Sequence, residues 1–112
     1  MNVLLADPDR KFVNEVLSTW ALEDSPLAGV TESSDLVSWV NEGGIGLCFL
    51  CTEFLVLQDL DVISFLKERH PGLEIVILCD SKSVQIAENA LARGAASYLL
   101  KPVDARVLEN AA

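Results

Sequence analysis

A chain of 112 residues has room for one compact core, and with 51% of its residues apolar it can fill that core rather than remain disordered. Eight basic residues against 17 acidic ones leave a net charge of −9, which opposes nucleic-acid binding, because sequence-independent affinity comes from Lys and Arg neutralising phosphates. The first residues lack the basic leader and long apolar run of a signal peptide, and no apolar stretch approaches the ~20 residues of a membrane helix.

Short apolar runs alternate with amphipathic segments along the whole chain. Asn2–Ala6 reads as a strand, followed by a helix over residues 8–22 with Phe12, Val13, Val16, Leu17 and Trp20 on one face. Asp24-Ser25-Pro26 stops that helix, since proline cannot continue one. Residues 27–31 form a short strand. Residues 35–41 form a short helix with Leu36, Val37 and Val40 inward, ended by Gly43-Gly44.

Residues 47–51 are the third strand, and a helix spans residues 60–69 before His70-Pro71-Gly72. Residues 75–79 are an almost uninterrupted apolar fourth strand. Residues 83–93 form a helix with Val84, Ala87, Ala90 and Leu91 on one face and Gly94 as its stop. Residues 96–100 are the fifth strand, and Asp104 caps a last helix. Five such units with non-alternating strands imply an α/β fold, a parallel sheet covered by helices on both faces. Ligands of such sheets bind beyond the carboxyl ends of the strands. Residues 7–9, 51–53, 79–81 and Lys101-Pro102 are therefore the ones to inspect.

The run Gly94-Ala95-Ala96-Ser97-Tyr98-Leu99-Leu100-Lys101-Pro102 resembles the receiver domains of two-component response regulators, from the end of the fourth helix through the fifth strand to its Lys-Pro. Val3-Leu4-Leu5-Ala6-Asp7 resembles their first strand with its terminal acid, and Arg69-His70-Pro71 before Ile75-Val76-Ile77-Leu78 resembles the approach to strand four. The resemblance covers nearly the whole chain. It implies a flavodoxin-like, doubly wound sheet of five parallel strands in the order 2-1-3-4-5, forming one receiver-like domain over residues 1–112.

Receivers carry two adjacent acids after strand one, a phosphorylated aspartate after strand three, a Ser or Thr after strand four, and the lysine. Matched position by position, the first acid is Asp7, the second position is Pro8, and the acceptor position is Cys51. A second count, from a glycine position occupied here by Asp59, also leads to Cys51. The Ser/Thr position is Cys79, the lysine is Lys101, and Tyr98 takes the aromatic switch position. A hard Mg²⁺ ion needs about six oxygen ligands, and a thiol is a poor substitute for one. Cys79 has no hydroxyl to donate. The resemblance therefore implies a degenerate receiver without aspartyl phosphorylation.

Each candidate residue has a plainer role beside the chemical one. Asp7 is expected to cap the first helix with Pro8 at its first position, in preference to holding a metal, and to pair with Lys101. Asp9 and Glu53, with Asp7, make a remnant acidic pocket or are simply solvated. Cys51 and Cys79 end neighbouring strands, so they are either a redox pair or two small buried apolar residues; Cys48 points to the opposite face from Cys51. The odd cysteine count, with only a weak C-x-x-C at Cys48 and Cys51, fits a reducing cytoplasm. In the family the Lys101-Pro102 peptide is often cis. Trp20 and Trp39 read as packing residues and His70 as a helix-terminal one.

The leading expectation is a cytoplasmic, non-enzymatic interaction module that belongs to a longer regulator, often of transcription. It needs no cofactor, touches neither nucleic acid nor membrane, and docks or dimerises through the face of the fourth helix, fifth strand and fifth helix. The alternative is a working switch with unusual chemistry, phosphorylated at Asp9 or Glu53 or oxidised at Cys51 and Cys79. A flavin site is disfavoured by the charged Asp7-Pro8-Asp9-Arg10-Lys11 loop, and no hydrolase triad is visible.

Overall fold

A computed structural model describes residues 1–42, 44–58 and 61–112, with Leu57 and Gln58 as backbone only. The elements are β1 (Asn2–Ala6), α1 (Arg10–Thr19), β2 (Leu27–Val30), a 3-10 turn (Ser33–Asp35), α2 (Leu36–Glu42), β3 (Ile45–Cys51), α3 (Thr52–Gln58), α4 (Asp61–Arg69), β4 (Glu74–Cys79), α5 (Val84–Ala92), β5 (Ser97–Leu100) and α6 (Ala105–Ala111). The strands form one parallel sheet in the order β2-β1-β3-β4-β5, as the sequence led us to expect.

Alternation along each strand divides the core into two layers. Leu4, Ala6, Cys48, Leu50, Ile75 and Ile77 face α2, α3, α4 and α5, where Leu36, Phe54, Ile63, Leu66 and Ala87 close over them. Val3, Leu5, Leu47, Phe49, Val76 and Leu78 face the opposite way, under Val13 and Val16 of α1 and Ala105 and Leu108 of α6. Both layers are fully buried, which is why the strands read as continuous apolar runs. The α1 helix packs so closely on β2 that a Cβ added at Gly29 would lie 2.5 Å from Val13 Cγ1.

Several expectations are corrected. The first helix ends at Thr19, not residue 22, because Trp20 leaves helical geometry and donates its indole N–H to the Ser25 carbonyl at 2.8 Å. The amide of Ala21 then donates to Glu109 Oε2 at 2.6 Å, tying the loop to α6. The Asp9 side chain caps α1, accepting from the Phe12 amide at 3.1 Å; Asp7 does not, and Pro8 precedes the helix. Leu17, Trp39 and Leu91, read as packing residues, are exposed. Helix α3 was not anticipated; it lies under the sheet through buried Phe54 and Leu55. The expected boundaries at Gly43 and Leu60, and the Asp59 count, lie outside the described residues. With α3 present, the expected fourth and fifth helices are α5 and α6.

Candidate functional site

The carboxyl ends of β1, β3, β4 and β5 bring Asp7, Cys51, Cys79 and Lys101 to one edge of the sheet. Asp7 is 1% exposed and follows β1, held there by its amide donating to the Val30 carbonyl at 3.0 Å. Lys101 Nζ, arriving after β5, donates to Asp7 Oδ2 at 2.6 Å. The other carboxylate oxygen, Oδ1, accepts from the Asp9 amide at 2.9 Å, so both oxygens are engaged. The Lys101 ammonium also lies 3.8 Å from Cys51 Sγ and 4.9 Å from the centre of the Phe12 ring. Its backbone amide donates to the Cys79 carbonyl at 2.7 Å, and the Lys101-Pro102 peptide is cis.

The ion pair governs the local electrostatics. Burial alone would lower the Lys101 pKa, but the hydrogen bond to Asp7 and the charges of Cys51, Asp7 and Glu53 outweigh it and raise the pKa above the ordinary lysine range. Burial pushes the Cys51 thiol up to about 11, although the Glu53 backbone N–H and the Lys101 charge pull the other way. Burial likewise lifts Cys48 to about 12 and raises Cys79, with Asp80 adding to the latter. All three cysteines are free, buried thiols, the inert form of the side chain.

Cys51 and Cys79 both border a hollow at this edge of the sheet, each as a free, buried thiol. Cys51 is in register with Leu78, one residue before Cys79. Cys79 Sγ faces the Leu99 carbonyl at 3.7 Å and belongs to the α5-side layer. The three acids do not gather. Asp9 is occupied at the start of α1, and Glu53 is exposed in the first turn of α3. Among the described residues no group of three His, Cys, Asp or Glu side chains is placed to hold a metal ion. Tyr98 is half-buried against the α5-side layer, and His70 Nε2 meets Asn41 Oδ1 at 2.8 Å.

Three residues that sequence reasoning gave no role complete the site. Thr52, buried just after Cys51, donates from Oγ1 to Ser83 Oγ at 3.1 Å. Ser83 in turn meets Asp80 Oδ1 through its hydroxyl and its amide, each at 3.0 Å. The Lys82 amide also donates to Asp80 Oδ1 at 2.9 Å. These bonds from Ser83 and Lys82 hold the Asp80 carboxyl below the usual carboxylate range. The Asp80-x-x-Ser83 spacing is an ordinary turn signal, so the sequence offered a hint of the turn and none of its link to Thr52. The hollow between these groups, about 200 Å³, has Cys51, Thr52, Cys79, Asp80, Ser83 and Lys101 among its lining residues.

Residues 3–112 match the family model of the response regulator receiver domain. The chain belongs to that family. It is 28% identical over 106 residues to the DNA-binding transcriptional regulator NtrC of Azospirillum brasilense, covering 95% of this chain and 22% of that protein. It is 40% identical over 60 residues to the photosynthetic apparatus regulatory protein RegA of Rhodobacter capsulatus, covering 51% of this chain and 33% of the other. This receiver thus spans a third or less of these curated relatives. Among solved structures, the receiver domain of AraT from Geobacillus stearothermophilus superposes with a TM-score of 0.83 at 15% identity, covering 98% of this chain and 88% of that one. A response regulator from Burkholderia pseudomallei, solved with a phosphorylated aspartic acid, a calcium ion and citrate, gives 0.81 at 20% identity, covering 98% and 65%. Both likenesses concern the fold. No described helix is long and apolar enough to cross a membrane.

Proposed function

We propose that this receiver signals by protein contact and does not carry an aspartyl phosphate. The observation behind the reading is the group found where the third strand ends beside the lysine. Lys101 Nζ meets a neutral thiol, Cys51 Sγ at 3.8 Å, and spends its strong bond on Asp7. An acyl phosphate needs a carboxylate there, with a hard cation supplied with several oxygens. Asp7 is the one matched carboxylate, and both its oxygens are engaged by Lys101 and the Asp9 amide. That donor set does not fit Mg²⁺.

Without a phosphoryl group to move it, the β4–α5 loop is held by the Thr52–Ser83–Asp80 hydrogen bonds, and the contact surface is preset. The surface is the α5-β5-α6 face, which exposes Leu91, Leu100 and Val107 and suits a second copy or the rest of a longer regulator. Transcriptional output, if it follows the NtrC relative, belongs to another part of the protein, since a net charge of −9 repels DNA. We place such a regulator in the cytoplasm. The test is intact mass after incubation with acetyl phosphate and Mg²⁺. The expected result is no phosphoryl adduct. An adduct mapped to Asp9 or Glu53 would establish the unusual-switch alternative instead.

A further inference from the structure

The helix α2 leaves a tryptophan at the surface. Its buried stripe is Leu36 and Val40, and Trp39, one step aside, is 43% exposed. Trp39 borders a small, mostly apolar hollow of about 170 Å³ with Pro26, Leu27, Ala28 and Ile45, at the amino-terminal ends of the strands. It also borders an open hollow of about 340 Å³ whose remaining described walls are Asp35, Ser38 and Glu42. These four residues recur at helical spacing, so an aromatic face stands between two carboxylates on one exposed surface. Neither acid belongs to an ion pair among the described residues; the pairs there are Arg10–Glu32, Arg93–Asp61 and Lys101–Asp7.

We infer that this face of α2 docks an arginine-bearing segment of a partner protein, its guanidinium stacked on Trp39 between Asp35 and Glu42. Charge complementarity selects the partner: a −9 chain offers, beside an exposed ring, two carboxylates that form no ion pair among the described residues. Arginine fits better than lysine, because its planar guanidinium stacks on an indole while its forked N–H groups reach carboxylates. Trp39 lies toward the amino-terminal ends of the strands, away from Cys51 and Lys101.

The experiment titrates the whole chain with a blocked tri-arginine peptide at 0.15 M salt and follows amide and indole N–H resonances. The expected result is shifts centred on Ser38, Trp39 and Glu42, with affinity lowered on the order of tenfold in Trp39→Ala and in Asp35→Asn/Glu42→Gln. A control removes two exposed acids elsewhere, Glu68→Gln/Glu88→Gln, and retains near-wild-type affinity. Shifts spread over the whole acidic surface, or an equal loss in the control, would overturn the inference in favour of undirected charge attraction.

Discussion

Replacing Lys101 by methionine leaves the Asp7 carboxylate in place without its cation. Asp7 is 1% exposed, while the Lys101 side chain is 27% exposed, so water screens one side of the pair. Breaking a fully buried pair costs about 3–5 kcal/mol, and the partial exposure of the lysine brings the expected loss down to about 2–3 kcal/mol. For a domain of this size that corresponds to a fall in Tm of roughly 8–15 °C. Asp7→Asn/Lys101→Met removes both charges, and the asparagine oxygen still accepts the Asp9 amide that Asp7 holds at 2.9 Å. The double variant should therefore recover more than half of the loss, giving a favourable coupling of about 1–2 kcal/mol. Urea unfolding of the wild type, both single variants and the double one measures that coupling. Additive losses, or a Lys101→Met cost below about 0.5 kcal/mol, would refute the pair's role as the tie across the sheet edge.

Further outcomes follow from the same structure. The raised thiols of Cys48 and Cys51, at about 12 and about 11 against an ordinary 9.0, contribute stability that is complete below about pH 9 and lost as pH rises through the folded values. Each steepens the loss by up to about 1.4 kcal/mol per pH unit, and Cys48→Ala should flatten the stability profile between pH 9 and 11 in reducing urea melts. Asp9→Ala removes the cap of α1 and should cost about 1 kcal/mol, whereas the same change at exposed Glu68 should cost little. Gly29→Ala forces a methyl against Val13 and should cost about 1–3 kcal/mol in a thermal melt. Mild peroxide should leave the folded chain without a Cys51–Cys79 disulfide by peptide mapping, since both thiols are buried and held protonated by raised pKa values.

The strands and their order were legible because strands buried on both faces must be apolar throughout, as in Ile75-Val76-Ile77-Leu78. Helix α3 was not. Thr52-Glu53-Phe54-Leu55-Val56 follows β3 with no glycine or proline between them, and what makes it helical is burial of Phe54 and Leu55 on the finished sheet. Local sequence pointed to Asp7 as the cap of α1, and the structure has Asp9. The choice is made 94 residues away, where Lys101 claims Asp7 and leaves Asp9 for the helix. The contact of Lys101 with Asp7 was within reach of sequence reasoning, because both positions fall at strand ends. The link from Thr52 to Ser83 was not, because it joins two side chains 31 residues apart that only the finished sheet brings together. Trp39 sits one position from Val40 on a short helix, too close to the buried stripe for spacing alone to place it outside.

The most direct measurement of the central claim is an amide NMR spectrum of the chain titrated with Mg²⁺ and then with beryllium fluoride, a phosphoryl mimic. A receiver whose acceptor position holds a neutral thiol, with Asp7 committed to Lys101, should show no shifts at Asp7, Cys51, Cys79 or Lys101. Shifts at stoichiometric ligand that reach Tyr98 would contradict the account and show that another carboxylate serves the site.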